Sequence, residues 1–390
     1  MRIFLFLCSL VLTFWIVELG LRYREVRAHR RSLGWLDATE LVRSLARSSE
    51  ARPRIKLFNG CLIQRGILVE HSTMGYTNVP HTRGYSIRAE GRQNYVVRHD
   101  YDLSVFSRHG VKADMAAFRI NNLGNRGTDT PVEKPNGVHR VVFLGDSVTF
   151  GYYVNEEETF PVLVGAGIQE LVDDGFRVEV MNAGVSSLNA QHVLAHLRER
   201  AFTWSPDLVV WCFYANDIYD AEGAELDLFF PVRQATWMGP IRASALGRLM
   251  LGTVFASRIG ATMSIDDDSE VNRAVAHAWK DIESNLSDAS AWADQQGTRL
   301  LVVVFPSGLQ LSRSWTRELY QGRIKRICRS LDIRCVDVLS FYEDVGSVQD
   351  LYYEGDLIHP SLLGHAVAAD AILTSLRENR HLLLRPNAKR

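Results

Sequence analysis

Val141-Val142-Phe143-Leu144-Gly145-Asp146-Ser147-Val148-Thr149-Phe150-Gly151 is the stretch around which the chain is organised. Its four leading apolar residues, mostly β-branched or aromatic, predict a buried parallel strand, because a strand covered on both faces has no reason to alternate. Gly145-Asp146-Ser147 then breaks the run and presents a serine at the strand's carboxyl end. In open α/β sheets ligands bind in the crevice outside those ends. Alone, Gly-Asp-Ser recurs by chance in many chains, and its weight depends on the residues downstream.

Three further elements come after it in order. Asn182-Ala183-Gly184 closes a second apolar strand, Ala215-Asn216-Asp217 closes a third, and Asp356-Leu357-Ile358-His359-Pro360 lies near the C-terminus. Ser, Gly, Asn and His in that order, each past a strand or in the last loop, resemble the SGNH (GDSL-type) hydrolase family, in particular its membrane-anchored bacterial-type members. The resemblance covers residues 138–380 and implies an α/β fold, a flavodoxin-like three-layer arrangement of a parallel sheet flanked by helices. It also implies an esterase.

The resemblance places the catalytic roles on Ser147 as nucleophile, His359 as base and Asp356 as the group that orients the imidazole. An oxyanion hole would come from the backbone N–H groups of Ser147 and Gly184 and the side-chain amide of Asn216. The chemistry needs those types: a hydroxyl is too basic to attack unaided, so an imidazole must take its proton, and neutral donors must meet the oxyanion. Taken singly each residue has a plainer role, as Ser147 could cap a helix, Gly184 and Asn216 could serve turns, and Asp356 with His359 could form a loop ion pair. Four such coincidences in family order are improbable. Asp146 is expected to order the turn behind the nucleophile, and Asp217 to anchor its own loop.

A chain of 390 residues exceeds one ordinary domain, so a main domain plus an accessory part is expected. Its net charge of -1 leaves no electrostatic footprint for nucleic acid. Five cysteines (Cys8, Cys61, Cys212, Cys328, Cys335) are too few and scattered for a disulfide scaffold or zinc site. Cys328 and Cys335 flank a helix-to-strand turn and could pair in an oxidising compartment. His192 and His196 have metal-capable helical spacing without a third ligand, so no metal and no cofactor are expected. His365 reads as surface or packing.

The domains expected are a transmembrane anchor over 1–22, a helical stalk over 23–56, a β-rich accessory segment over 57–137, and a hydrolase domain over 138–380 with an insertion at 218–268. Residues 3–21 are apolar enough to span a bilayer, with Glu18 four residues from Arg22. Arg22, Arg24, Arg27, Arg30 and Arg31 lie beyond the run, which by the positive-inside rule places the body in the cytoplasm. The resemblance implies the opposite face, and the expectation adopted is a single-pass membrane protein with an extracytoplasmic catalytic domain. The segment Phe118-Arg119-Ile120-Asn121-Asn122-Leu123-Gly124-Asn125-Arg126-Gly127 resembles the lead-in of such anchored members.

Strands are predicted at 140–144, 177–181, 207–214, 299–305 and 333–338, with helices at 157–172, 190–201, 270–295, 315–330 and 362–378. Tyr152, Tyr153, Trp237 and Met238 could line a cleft or sit in the core. The expected activity is hydrolysis of an ester, preferably an O-acetyl group on a carbohydrate or envelope polymer. The alternatives are an O-acyltransferase using the same acyl-enzyme and a non-catalytic carbohydrate-binding module.

Overall fold

The computed structural model describes residues 55–58, 61–64, 66–89, 94–100, 102–108, 112–172, 175–218, 270–311, 320–353 and 356–383, together with residue 17. All of the anchor but residue 17, nearly all of the stalk and all of the insertion but its first residue therefore lie outside the described residues. Among the described residues no helix is long and apolar enough to cross a membrane.

The accessory part contributes strands β1 (Ile55–Phe58), β2 (Cys61–Gln64), β3 (Leu68–His71), β4 (Gly75–Asn78), β5 (Arg83–Ala89), β6 (Asn94–Arg98) and β7 (Ala113–Arg119), with helix α1 (Ser104–Arg108) before β7. They form a five-stranded sheet in the order β1-β2-β6-β5-β7 and a separate β3–β4 hairpin. Within that sheet β2 and β6 are parallel and the other pairs antiparallel. β1 starts at Ile55, inside the stretch read as helical stalk, because Ile55–Phe58 pairs with Cys61–Gln64. Alternation along β6 divides the sheet's two faces. Tyr95 and Val97 pack with Ile87, Ala89 and Phe106 on the outer side, while Val96 joins Phe118, Ile120, Phe150, Tyr152 and Tyr153. The inner face thus rests on the segment just past Ser147.

The main domain holds β8 (Val138–Gly145), β9 (Arg177–Gly184), β10 (Leu208–Phe213), β11 (Arg299–Val304) and β12 (Arg334–Asp337), all parallel, in the order β12-β11-β10-β8-β9. Every residue of β8 and β10 is buried; β10 is apolar throughout, and β8 is apolar from Val141 to Leu144 after the buried His139 and Arg140. The order reverses at β8, and Ser147 opens helix α2 (Ser147–Phe150) at that point.

Among the described residues the domain also holds helices α3 (Phe160–Gln169), α4 (Ala190–Glu199), α5 (Glu270–Gln296), α6 (Gly308–Leu311), α7 (Gln321–Ser330), α8 (Val338–Val345), α9 (Val348–Leu351) and α10 (Leu362–Glu378). Helix α10 runs over the residues the sequence predicts. The helix expected at 157–172 instead opens as a 3-10 turn, Glu156–Glu158, capped by Asn155 in a capping box, before α3 starts at Phe160 with Pro161 in its first turn. Helices α6, α8 and α9 are additions to the expected set. Asp337, which reads as strand interior, turns the chain by accepting a hydrogen bond from the Leu339 N–H, and so starts α8 where the strand is expected to continue.

Candidate active site

The turn after β8 is built by Asp146, whose carboxylate accepts from the Val148 N–H at 2.8 Å and caps α2. Ser147 and His359 are 0% and 1% exposed, although they are separated by more than half the chain. The Ser147 hydroxyl lies 2.9 Å from His359 Nε2. His359 Nδ1 lies 2.8 Å from Asp356 Oδ2, and Asp356 Oδ1 accepts from the Ile358 and His359 N–H groups at 2.9 and 3.0 Å. One carboxylate therefore folds its own loop and holds the imidazole. Beyond it Ser361 caps α10 through the Gly364 N–H.

Electrostatics favour a basic imidazole. Burial pulls the His359 pKa down, but the charge and hydrogen bond of Asp356, with a further contribution from Asp146, leave it above the ordinary 6.5. Burial likewise pushes Asp356 up, and the charge of His359, with the hydrogen bonds from His359 and the Ile358 N–H, more than offsets that, so it stays below the usual carboxylate range. With the proton on Nδ1 facing Asp356, Nε2 is an acceptor for the Ser147 hydroxyl.

The oxyanion donors are placed less simply. Ser147 N–H stands at the first position of α2. Asn216 lies in the 3-10 turn Ala215–Ile218 just past β10, and its side chain is outside the described residues. The Gly184 N–H donates to Asn182 Oδ1 at 3.1 Å, and so has a partner within its own strand. A Cβ at Gly184 would come 2.3 Å from the Phe150 nitrogen and 2.7 Å from the Thr149 carbonyl carbon. Glycine there lets β9 approach the backbone of α2 closely. Gly184→Ala is expected to cost about 1–3 kcal/mol by overpacking, seen as a lower urea midpoint at unchanged m-value, because backbone, not a flexible side chain, must give way.

Ser187 belongs to the same region without any mark in the sequence. It takes a left-handed conformation, φ 65, in the turn after β9, and its buried hydroxyl has no hydrogen-bond partner among the described residues. A serine between Ser186 and Leu188 carries no signal of such a backbone.

Asp217 anchors its loop by accepting from the Tyr214 N–H at 2.9 Å. Burial, and then the charge of Asp146, raises it well above the usual carboxylate range. His365 is a packing residue, buried, stacked on Phe160 with ring centroids 5.6 Å apart, and its Nδ1 accepts from the Phe160 N–H. His192 and His196 acquire no third ligand, and among the described residues no group of three His, Cys, Asp or Glu is arranged to hold a metal. Cys328 and Cys335 are free thiols in hydrogen-bond contact with each other. Of the four expected cleft residues, Tyr152 and Tyr153 flank His359 with ring centroids 5.3 and 5.4 Å away. Trp237 and Met238 lie outside the described residues.

Comparison with known proteins gives a match over residues 143–367 to the model of a GDSL-like lipase/acylhydrolase family. No curated protein matches the chain. Among solved structures, an acetylxylan esterase from Geobacillus stearothermophilus is 16% identical, with 64% of this chain and 97% of that chain covered and a TM-score of 0.40. An alpha/beta hydrolase enzyme from the metagenome of Lake Arreo, Spain, is also 16% identical, with 63% and 96% covered and a TM-score of 0.40. At these scores neither likeness adds weight to a functional assignment.

Proposed function

This chain belongs to the GDSL-like lipase/acylhydrolase family and is an ester-hydrolysing enzyme, and from that premise we propose that it works through a serine acyl-enzyme made by Ser147, His359 and Asp356. The observation that carries the proposal is the unbroken chain of short contacts from hydroxyl to imidazole to carboxylate, 2.9 and 2.8 Å. Ser147 Oγ attacks the ester carbonyl while His359 Nε2 takes its proton. The imidazolium, steadied by Asp356, returns that proton to the leaving alcohol. Water then repeats the sequence on the acyl-enzyme and releases the acid. The Ser147 N–H and the Asn216 amide are the proposed oxyanion donors, and Gly184 is retained as the residue that lets β9 reach α2.

The substrate class we favour is an O-acetyl ester on a carbohydrate or envelope polymer. Complete burial of Ser147 suits a small acyl group. The polymer and an extracytoplasmic, membrane-anchored placement rest on the apolar run 3–21 and on the resemblance in the sequence. The same enclosure favours a second reading, acyl transfer to a sugar hydroxyl, because an acyl-enzyme shielded from water survives until an acceptor arrives.

The test is made on the full chain with acetylated oligosaccharide, following acetate release with and without added sugar acceptor, beside labelling by a fluorophosphonate located by mass spectrometry. Label on Ser147 with acetate release is the expected result. Acetyl found on the acceptor selects the transferase, and label absent from Ser147 in an active preparation sinks the assignment.

A further inference from the structure

The family match begins at residue 143, yet the aromatic surroundings of His359 are held in place by residues before it. Tyr152 and Tyr153 lie in the segment that leaves α2, and their rings pack on the imidazole. Tyr153 has φ 69, a left-handed backbone that a bulky side chain adopts only when its surroundings impose it. Those surroundings are specific. Its N–H donates to Ser86 Oγ on β5 at 3.0 Å, and its carbonyl accepts from the Tyr353 hydroxyl at 3.0 Å. The Arg88 guanidinium, also from β5, lies 4.8 Å over the Tyr353 ring.

Arg126 closes the segment from inside. It is 4% exposed, and its guanidinium donates to the carbonyls of Phe150 (2.8 Å), Gly151, Val154 (2.7 Å) and Ala117 (3.3 Å). A buried cation devoted to carbonyls, with no carboxylate in hydrogen-bond contact among the described residues, is a costly arrangement for a mere loop tie. Next to it Asn155 Oδ1 accepts from the Ala117 N–H, and Arg119 grips Glu156 through two bonds of 3.0 Å. Val96, Phe118 and Ile120 of the sheet's inner face fill the space against Phe150, Tyr152 and Tyr153.

We propose that the accessory part, acting through Ser86 on β5 and Arg126 in the segment after β7, positions the Tyr152–Tyr153 clamp that orients and dries the His359 imidazole. Ser86 and Arg126 are positioning residues; neither touches the reacting atoms. The proposal rests on the reading of His359 as the base. It makes the segment 83–126 a working part of the enzyme and not only a cover for a sheet edge.

The titratable groups facing His359 are Asp356 on its own loop, Asp146 at the nucleophile turn and His365 on α10, with the Tyr152 and Tyr153 hydroxyls beyond. Ser86→Ala alters none of these charges. Arg126→Gln removes a positive charge near His365, whose own proton affinity Arg126 depresses, so Arg126→Lys is the charge-preserving partner.

Burial lowers the imidazole pKa, so a loosened clamp lets water in and moves that pKa up. Full-length wild type, Ser86→Ala, Arg126→Lys and Arg126→Gln are compared in two ways: kcat/KM against pH on an activated acetyl ester, and the pKa of His359 from histidine ring NMR, assigned with His359→Gln. Arg108→Ala, on the exposed Arg108–Asp102 ion pair of the same accessory part, is the control expected to leave activity unchanged.

Expected is a loss of roughly 10-fold or more in kcat with little change in KM, as positioning lost at a distance costs rate, an acid limb displaced to higher pH, and partial rescue by lysine over glutamine. Folded Ser86→Ala with wild-type kcat and an unmoved His359 pKa overturns the proposal, as does an equal loss in Arg108→Ala. Should Arg126→Gln fail to fold, Ser86→Ala and Arg126→Lys still decide. The NMR pKa needs no turnover, so a clamp that moves it in a chain without esterase activity separates failure of this proposal from failure of the Ser147 reading.

Discussion

Ser147→Ala and His359→Ala are each expected to lower kcat for an activated acetyl ester by about 10⁵–10⁶, and the double variant is expected to lose no more than either alone, because nucleophile and base act as one unit. The geometry explains the non-additivity. Ser147 Oγ has Nε2 at 2.9 Å as its route for the departing proton, and Nε2 in turn has the hydroxyl as the group it activates. Removing either leaves the other idle. Neither change should unfold the chain, since α2 is capped by Asp146 and the His359 loop is closed through Asp356 by backbone N–H groups that survive both substitutions. The measurement is single-turnover acetate release beside a thermal melt. Additive losses, or a Ser147→Ala variant with ordinary turnover, would remove Ser147 from the mechanism.

The parts legible in the sequence are those whose causes are local. β8, β10 and β11 are buried along nearly their whole length, so composition alone declares them, and the turn chemistry of Gly145-Asp146-Ser147 comes from the residues themselves. Ser147, Asp356 and His359 stand out by their order along the chain, and the structure brings all three together. The hidden features depend on distant partners. Arg126 sits in the polar, glycine-punctuated run Asn121–Gly127, where no neighbouring residue marks it as buried; its burial is set by carbonyls 24 to 28 residues further on. That the space beside the Gly184 Cα is taken by backbone atoms of Phe150 and Thr149 is likewise written nowhere near it in the chain. Tyr152 and Tyr153 read equally as cleft or core, and Tyr153, which packs on His359, is tied to β5 and Tyr353, which no local pattern connects to it.

Asp356→Asn is expected to cut kcat by about 10³–10⁴ while leaving the fold intact, an effect of tautomer more than of charge. An asparagine amide turned to donate to Nδ1 would fix the ring proton on Nε2, and Nε2 could then no longer accept from Ser147. The oxygen of the same amide can still take the Ile358 and His359 N–H groups, so the loop keeps its closure. The pH profile carries an independent signature. In the wild type the acid limb of kcat/KM reports His359, active when neutral, so rate falls as pH drops through a pKa held above 6.5 despite burial, by Asp356 and by Asp146. Asparagine removes the larger of the two raising charges and keeps the burial. The imidazole then protonates only at lower pH, and the acid limb of the residual activity moves down, opposite in direction to the shift expected when the tyrosine clamp is loosened. A profile of kcat/KM for wild type, Asp356→Asn and Ser86→Ala on one buffer series separates the two causes. An unmoved limb in Asp356→Asn would mean that the carboxylate 2.8 Å from Nδ1 does not govern the base, and the raised proton affinity of His359 would then fall to Asp146 alone.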